Sequence, residues 1–438
     1  MQKLQKKEFI KYISCNVLSM IGLSCYILAD TFFIAQGVGP KGLAALNLAL
    51  PVFNTVNGIG LLLCMGGATR FSLSGAKKDA SSASIFTHTV YWGIFFSLLF
   101  MLLGGFFSEN IAWCMGADPD TFEMTRIYLQ VILLFAPLFI FNQILSGFVR
   151  NDRDPKLAMA AMLAGDFINI ILDYVFIFPL NMGIFGAVLA TGIAPVIGIL
   201  LMSSHFIKRK NHFYFKIQKP SLQEGISCIK SGIFAFIGEI SNGIVIFVFN
   251  ALFLRFMGNT GVTAYGIIAN ISLVVISVYN GIAQGMQPLV SKNCSRGDQK
   301  SAQSIYQYSF LCSLAVSVLV LVAALLWHTP MVALFNQNAE PLLQTTAESG
   351  MLLYFPGFFF AGINIITAAY FAASGKTAQS FGIGFLRGIA VIVPAAIILA
   401  LLFQTTGIWL SFLAAESIVC LISAVLFFFS RKKATRLL

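Results

Sequence analysis

Five carboxylates interrupt long apolar runs of this chain: Asp30, Asp166, Asp173, Glu239 and Glu416. A charge at the centre of a bilayer costs about 3 kcal/mol on insertion scales, so each needs a partner, a proton or water. Asp166, Asn169 and Asp173 are spaced i, i+3, i+7, which sets all three on one face of a helix. Asp30 lies shortly before Gly37 and Asp173 shortly before Pro179, so both reach about 10 Å below the same membrane surface at the helical rise. Two acids close together in a low dielectric cannot both stay ionised cheaply. Such a site can take up and release a proton, or hold Na⁺ between the oxygens of Asp30, Asn169 and Asp173. Asp166 reads as part of the same cation site or as an acid that satisfies a neighbouring helix.

The second half carries a different set. Glu239 stands about 13 Å into the membrane past Lys230, by helical rise, and suits a second cation site or a structural role equally. Arg387 and Glu416 each fall far from the nearer turn, so both belong near the midplane. An isolated guanidinium there is very costly, and a structural Arg387–Glu416 pair is expected.

These residues need membrane-spanning helices to position them, and the composition supplies them. The chain is 58% hydrophobic and only 10% charged, with a mean hydropathy of +0.84, against about one quarter charged in soluble domains. A helix needs ~20 mostly apolar residues to cross the hydrocarbon layer. Spans are predicted near 10–36, 43–70, 85–107, 124–149, 157–178, 184–207, 231–257, 262–290, 304–327, 346–373, 378–403 and 407–430. The fold class is all-α integral membrane, with twelve transmembrane helices in two six-helix bundles. Residues 1–207 form a first lobe, 208–230 a cytoplasmic linker and 231–438 a second lobe.

A repeat supports the division. Gly39, Gly42, Ala45, Gly66 and Asp79-x-x-Ser82-Ala83 recur as Gly258, Gly261, Ala264, Gly285 and Asp298-x-x-Ser301-Ala302. Pro137 matches Pro356 at the same offset, and after a small slip Phe148 matches Phe371. An even number of spans per half makes these parallel repeats, with a substrate path between them.

Charge sets the orientation. With the amino terminus inside, 24 of the 28 Lys and Arg residues fall on cytoplasmic segments. They include KLQKKEFIK at the start, AKKD at 76–79, VRNDRDPK at 149–156 and the RKKATR tail. The outer loops keep Lys41, Arg126 and Arg255 and carry Glu109, Asp118, Asp120, Glu123, Glu340 and Glu348. This is the positive-inside pattern, and both termini are expected in the cytoplasm. The net charge of +11 is therefore a topology signal spread over short loops, and nucleic acid is not an expected partner.

Other features carry less. The eight cysteines are scattered without C-x-x-C pairs, so neither a disulfide framework nor a zinc site is indicated. His88, His205, His212 and His328 fall at span ends or in loops, where solvated histidines are the default. Trp113, Trp327 and Trp409 fall at outer boundaries, as in an aromatic belt. The first apolar run is too long for a cleaved signal and reads as a retained span. A membrane-embedded enzyme would want clustered catalytic polar groups at one face, and the sequence has none, so no enzyme activity is expected.

Several segments together resemble one family. LADTFFIAQGVGPKGLAALNLALP (28–51) is similar to the first-span signature of the multidrug and toxic compound extrusion (MATE) family. RNDRDPKLAM (150–159), FINIILDYVFIF (167–178) and GIFGAVLAT (183–191) resemble its fourth- to sixth-span region, and FIGEISNGIVIFVFN (236–250) its seventh span. The resemblance covers nearly the whole chain. It implies two bundles with alternating access, in a bacterial inner membrane, and export of small organic molecules driven by H⁺ or Na⁺, with no other cofactor. Asp30, Asn169 and Asp173 fall where the DinF-like branch keeps its first-lobe cation site, and Glu239 where many members keep an acid. Asp166 is an acid outside that motif. The acidic first lobe favours cationic cargo, and a monomer is expected. The alternative is a lipid-linked saccharide flippase of the same superfamily, whose cavity would be cationic.

The topology makes a direct prediction. A cysteine introduced at Lys210 reacts with an impermeant thiol reagent only from inside, and one at Asp120 only from outside. Equal labelling of both from outside would end the twelve-span arrangement.

Overall fold

The computed structural model describes residues 3–76, 78–336 and 340–435; Lys77 and Arg436 of the basic segments lie outside them. Among the described residues every regular element is a helix. The first lobe runs α1 (Lys3–Gly37), α2 (Pro40–Leu73), α3 (Ala80–Cys114), α4 (Phe122–Leu134 with Ala136–Asn151), α5 (Pro155–Ile177) and α6 (Gly183–Ile207). The second runs α7 (Leu222–Gly258), α8 (Thr260–Ser295), α9 (Gln299–Ala333) and α10 (Pro341–Tyr354 with Gly357–Ala373). A final apolar stretch of 52 residues, Thr377–Phe428, is twice what one crossing needs. It breaks at Gln404, whose φ of 50° and ψ of −129° are not helical, into α11 (377–403) and α12 (405–428). Twelve crossings result.

The repeated residues of the sequence turn out to be joints. Gly39 and Gly258 open α2 and α8 with φ of 88° and 65°, values that residues with a Cβ rarely adopt. Asp79 and Asp298 cap α3 and α9, accepting from Ser82 N at 2.8 Å and Ser301 N at 3.0 Å. The hydrogen bonds from Ser301 hold the Asp298 carboxyl below its usual range. The two halves of α4 meet at 46° and those of α10 at 48°. Pro137 and Pro356 sit at these bends, because proline removes a ladder hydrogen bond and crowds the preceding turn.

Buried side chains form two cores, one from Ile34 to Cys228 and one from Phe249 to Val419. The partition is exchanged at its edges: Phe9 and Tyr12 of α1 join the second core, while Phe213 and Cys228 join the first. Gly66 and Gly285 make this possible. A Cβ on Gly66 would strike the Cys228 carbonyl of α7, and one on Gly285 the Tyr12 carbonyl of α1. The same repeat position thus lets each lobe receive a helix of the other.

The segment expected as a linker at 208–230 is shorter and fixed. Helix α7 begins at Leu222 because Ser221 Oγ accepts from Glu224 N at 3.4 Å, the start of a capping box. Residues 208–221 form an extended strap bound to the first lobe. Phe213 is fully buried among Phe71, Phe86 and Phe148, with centroids 5.8, 4.8 and 5.2 Å away. Lys216 N donates to Thr87 Oγ1 at 3.0 Å, and Gln218 Nε2 to Ser84 Oγ at 3.2 Å.

Two sequence expectations fail here. His205 is buried and pairs with Asp152 Oδ2 at 3.0 Å, and His88 is buried too. Interhelical packing, invisible to a one-dimensional boundary, removes them from water. Trp409 is also buried, 4.3 Å from Phe253 between ring centroids, because the short α11–α12 turn draws it into the second core.

Replacing Phe213 with Ala should cost about 3–5 kcal/mol, the usual range for deleting a buried phenyl ring. It should lower the melting temperature of the purified protein and expose 208–221 to limited proteolysis. Unchanged protease resistance would mean that the strap is held by something else.

Candidate functional site

Helices α1 and α5 bring Asp30, Asn169 and Asp173 into the interior of the first lobe, all buried. Asn169 and Asp173 are one turn apart on α5. In the amide orientation that satisfies both ends, Asn169 Nδ2 donates to Asp173 Oδ2 at 3.1 Å and Oδ1 accepts from Thr191 N at 3.2 Å. Asp30 Oδ1 and Asp173 Oδ1 are buried and accept no hydrogen bond. The charged group acting on Asp173 is Asp30. No Lys, Arg or His pairs with either acid among the described residues.

Asp166 lies elsewhere. It is about 10 Å from Asp173 along α5 by helical rise, and its Oδ2 would be 3.1 Å from a Cβ placed on Gly22 of α1. That oxygen is also buried without a partner. The expected one-face arrangement holds, but Asp166 meets α1 two turns below Asp30. Tyr26 stands between these levels, within electrostatic reach of all three carboxylates.

Sequence reading missed Tyr26, Tyr128 and Thr191. Tyr128 of α4 is buried within reach of Asp30, Asp173 and the Thr191 side chain. Thr191 Oγ1 donates to Ala187 O at 3.2 Å. Their signal was depth: Asp30, Tyr128, Asp173 and Thr191 all lie within about 12 Å of the ends of their helices on one membrane face. The cluster offers carboxylate, amide and hydroxyl oxygens, a donor set that suits a proton or a hard cation.

Glu239 is apart from this cluster. It faces α2 at the lobe seam, where a Cβ on Gly58 would be 3.4 Å from Glu239 Cβ, and it makes no ion pair within the described residues. In the second lobe Arg387 Nε donates to Glu416 Oε1 at 2.6 Å. Asn364 Nδ2 donates to Glu416 Oε2 at 2.7 Å and to its backbone carbonyl at 2.9 Å. Arg387 shares a helical face with buried Ser380 and Ile383 and sits in a π-helical turn, Leu386–Ala390, a distortion frequent at functional positions. The first lobe thus holds unpaired acids, while the second holds the unpaired Glu239 at the seam and a neutralised pair, Arg387–Glu416, in its interior.

The lobes are joined on the face that bears both termini. Arg150 is fully buried at the end of α4 and donates to Asn16 Oδ1 at 2.9 Å and to Gln284 Oε1 at 2.6 Å. Gln287 hydrogen-bonds Thr69, Arg70 pairs with Glu224, and Lys292 reaches Glu8 at 3.2 Å. These contacts all lie in the half of the molecule toward the termini.

The two-lobed helical bundle has counterparts among known proteins. The model described as MatE matches residues 16–175 and 235–398. The chain belongs to the MatE family. The multidrug export protein MepA of Staphylococcus aureus (strain bovine RF122 / ET3-1) is 30% identical over 421 residues, covering 94% of this chain and 90% of that protein. Among solved structures, a MATE protein in complex with MaL6 is similar with a TM-score of 0.91 at 20% identity, covering 99% of this chain and 97% of that one. An outward-facing multidrug resistance MATE transporter of the MOP superfamily matches with a TM-score of 0.90 at 21% identity, over 99% and 96%. As a MatE member the chain is a multi-pass membrane transporter.

The buried pair can be tested by a mutant cycle. Arg387→Ala leaves Glu416 unpaired and should lower stability by about 3–5 kcal/mol, whereas removing both partners can cost far less. Thermal melting of Arg387→Ala, Glu416→Gln and the double variant measures the coupling. A double variant as damaged as the sum of the singles argues against pairing.

Proposed function

We propose that the chain exports small organic cations from a bacterial cell by antiport, with H⁺ or Na⁺ as the coupling ion. The observation that carries this reading is the pair of buried acids, Asp30 and Asp173, each with an oxygen lacking a partner and neither with a basic neighbour. A site of that kind is stable only with a cation in it. Cargo and coupling ion then compete for one negative charge. When H⁺ or Na⁺ occupies Asp30 and Asp173, with Asn169 and Thr191 as further oxygen donors, the charge that holds an organic cation disappears and the cargo leaves.

Alternating access supplies direction. The closed seam on the termini face is what an outward-open state requires if the termini are cytoplasmic, and the basic loops support that orientation. Binding shifts such an equilibrium only through different affinity for the two states. The relatives named as multidrug export proteins support the cargo class. The first lobe's acids favour cations over the pyrophosphate cargo of a lipid-linked saccharide flippase. Each monomer contains both lobes and the whole path. Asp166 serves as a relay or reserve acid one level deeper, and Glu239 as a second cation-responsive group at the seam.

Asp30→Asn and Asp173→Asn mimic the neutral site permanently, so each should abolish gradient-driven efflux of a fluorescent lipophilic cation from energised cells at normal protein level. Asn169→Ala, which removes an oxygen but no charge, should weaken efflux without ending it. Proteoliposomes with separately imposed proton and sodium gradients identify the ion. Near-normal efflux in both aspartate variants would move the coupling to another group.

A further inference from the structure

A cavity of about 300 Å³ opens between the lobes on the termini face. Tyr12, Ser72, Asn151 and Arg153 line one side, and Lys292 and Arg296, at the end of α8, line the other. No acid is among its lining residues. The acids nearby are already engaged. Glu8 pairs with Lys292 at 3.2 Å. Asp152 binds His205 Nε2 at 3.0 Å and His212 Nδ1 at 2.7 Å. Asp154 caps α5, Asp79 caps α3 and Asp298 caps α9. Arg153 and Arg296 are therefore exposed guanidinium groups on opposite sides of one cavity, with no ion pair among the described residues.

The end of α4 fixes where Arg153 stands. Arg153 has a φ of 71°, a left-handed conformation that side-chain-bearing residues adopt at a cost. It is the left-handed cap that ends α4, with Asp154 N bonded back to Val149 O at 3.2 Å.

We propose that this cavity is a binding site for a phosphate-bearing anion, held by Arg153 and Arg296 across the seam with Lys292 and the Tyr12 hydroxyl beside it. Guanidinium forks match phosphate oxygens in bidentate geometry, and basic pockets between membrane helices at the cytoplasmic side take lipid head groups. A phospholipid head group and a soluble phosphate present the same chemistry here. The site is whole only while the seam is closed, because its two arginines come from different lobes. Its ligand must therefore favour that state, by as much as its affinity differs between states. The anion acts as a clasp on the termini face. The clasp's effect on transport rests on the proposed rocking of the lobes; the binding does not.

The test uses the full chain in lipid nanodiscs. One arm compares phosphatidylcholine discs with discs containing phosphatidylglycerol, reading retained lipid by native mass spectrometry. The other titrates phosphatidylcholine discs with inorganic phosphate against chloride at equal ionic strength. In both, the distance between labels on non-canonical residues at positions 78 and 300 reports the seam. Binding in the first arm alone identifies a lipid head group, and in the second a soluble phosphate; either should shorten the label distance. Arg153→Gln and Arg296→Gln should each weaken binding by about tenfold, as expected for losing a charge-assisted hydrogen bond. Lys210→Gln, which removes a charge from the exposed strap, should not. Should Arg153→Gln unfold the turn, Arg296→Gln carries the test, since its φ of −92° is ordinary. Absence of binding by the wild type above the chloride control, or wild-type binding by the arginine variants, overturns the proposal. Binding that leaves the label distance unchanged overturns the clasp. Failed efflux with intact binding and distance change would instead count against the transport reading.

Discussion

Everything in this molecule must accommodate carboxylates placed in an apolar bundle without a basic partner. Asp30 on α1 and Asp173 on α5 are both buried, each with an oxygen that accepts no hydrogen bond. Moving an ionised carboxylate out of water costs several kcal/mol even after relaxation. The surroundings soften this cost with neutral dipoles, the Asn169 amide and the Thr191 and Tyr128 hydroxyls, and no fixed cation. A fixed lysine or arginine would stabilise the fold more, but it would occupy the site permanently.

The second lobe answers the same constraint in the opposite way. Glu416 has a resident guanidinium and the Asn364 amide, so its charge is neutralised within the protein. Glu239 of the same lobe has no ion pair among the described residues, so this internal neutralisation belongs to Glu416.

The two lobes touch at matched places. Gly66 and Gly285 admit the backbone of the other lobe's helix at equivalent places, and polar contacts around Arg150, Gln287 and Lys292 close the termini face. Charged groups make most of this closure, through the Arg70–Glu224 and Lys292–Glu8 pairs and through Arg150, which is held by the Asn16 and Gln284 amides. The strap at 208–221, anchored through Phe213, keeps the connection between lobes from being a loose tether.

Much of this was legible in one dimension. Hydropathy marks twelve crossings because the bilayer sets a fixed length, and matched glycines, prolines and caps mark two related halves because each sits at a joint with strict backbone demands. Helical spacing put Asp166, Asn169 and Asp173 on one face, and the expense of a lone midplane arginine pointed to Glu416. Other features were decided only when helices packed. Asp166 fell at a different level from Asp30 because α1 meets α5 along its length, and Thr191 and Tyr128 joined the site through neighbours distant in sequence. His205 and Trp409 left the surface, and the supposed linker became a bound strap. Periodicity along a chain reports which face a residue occupies; which other face it meets, and at what height, is a property of the packed bundle alone.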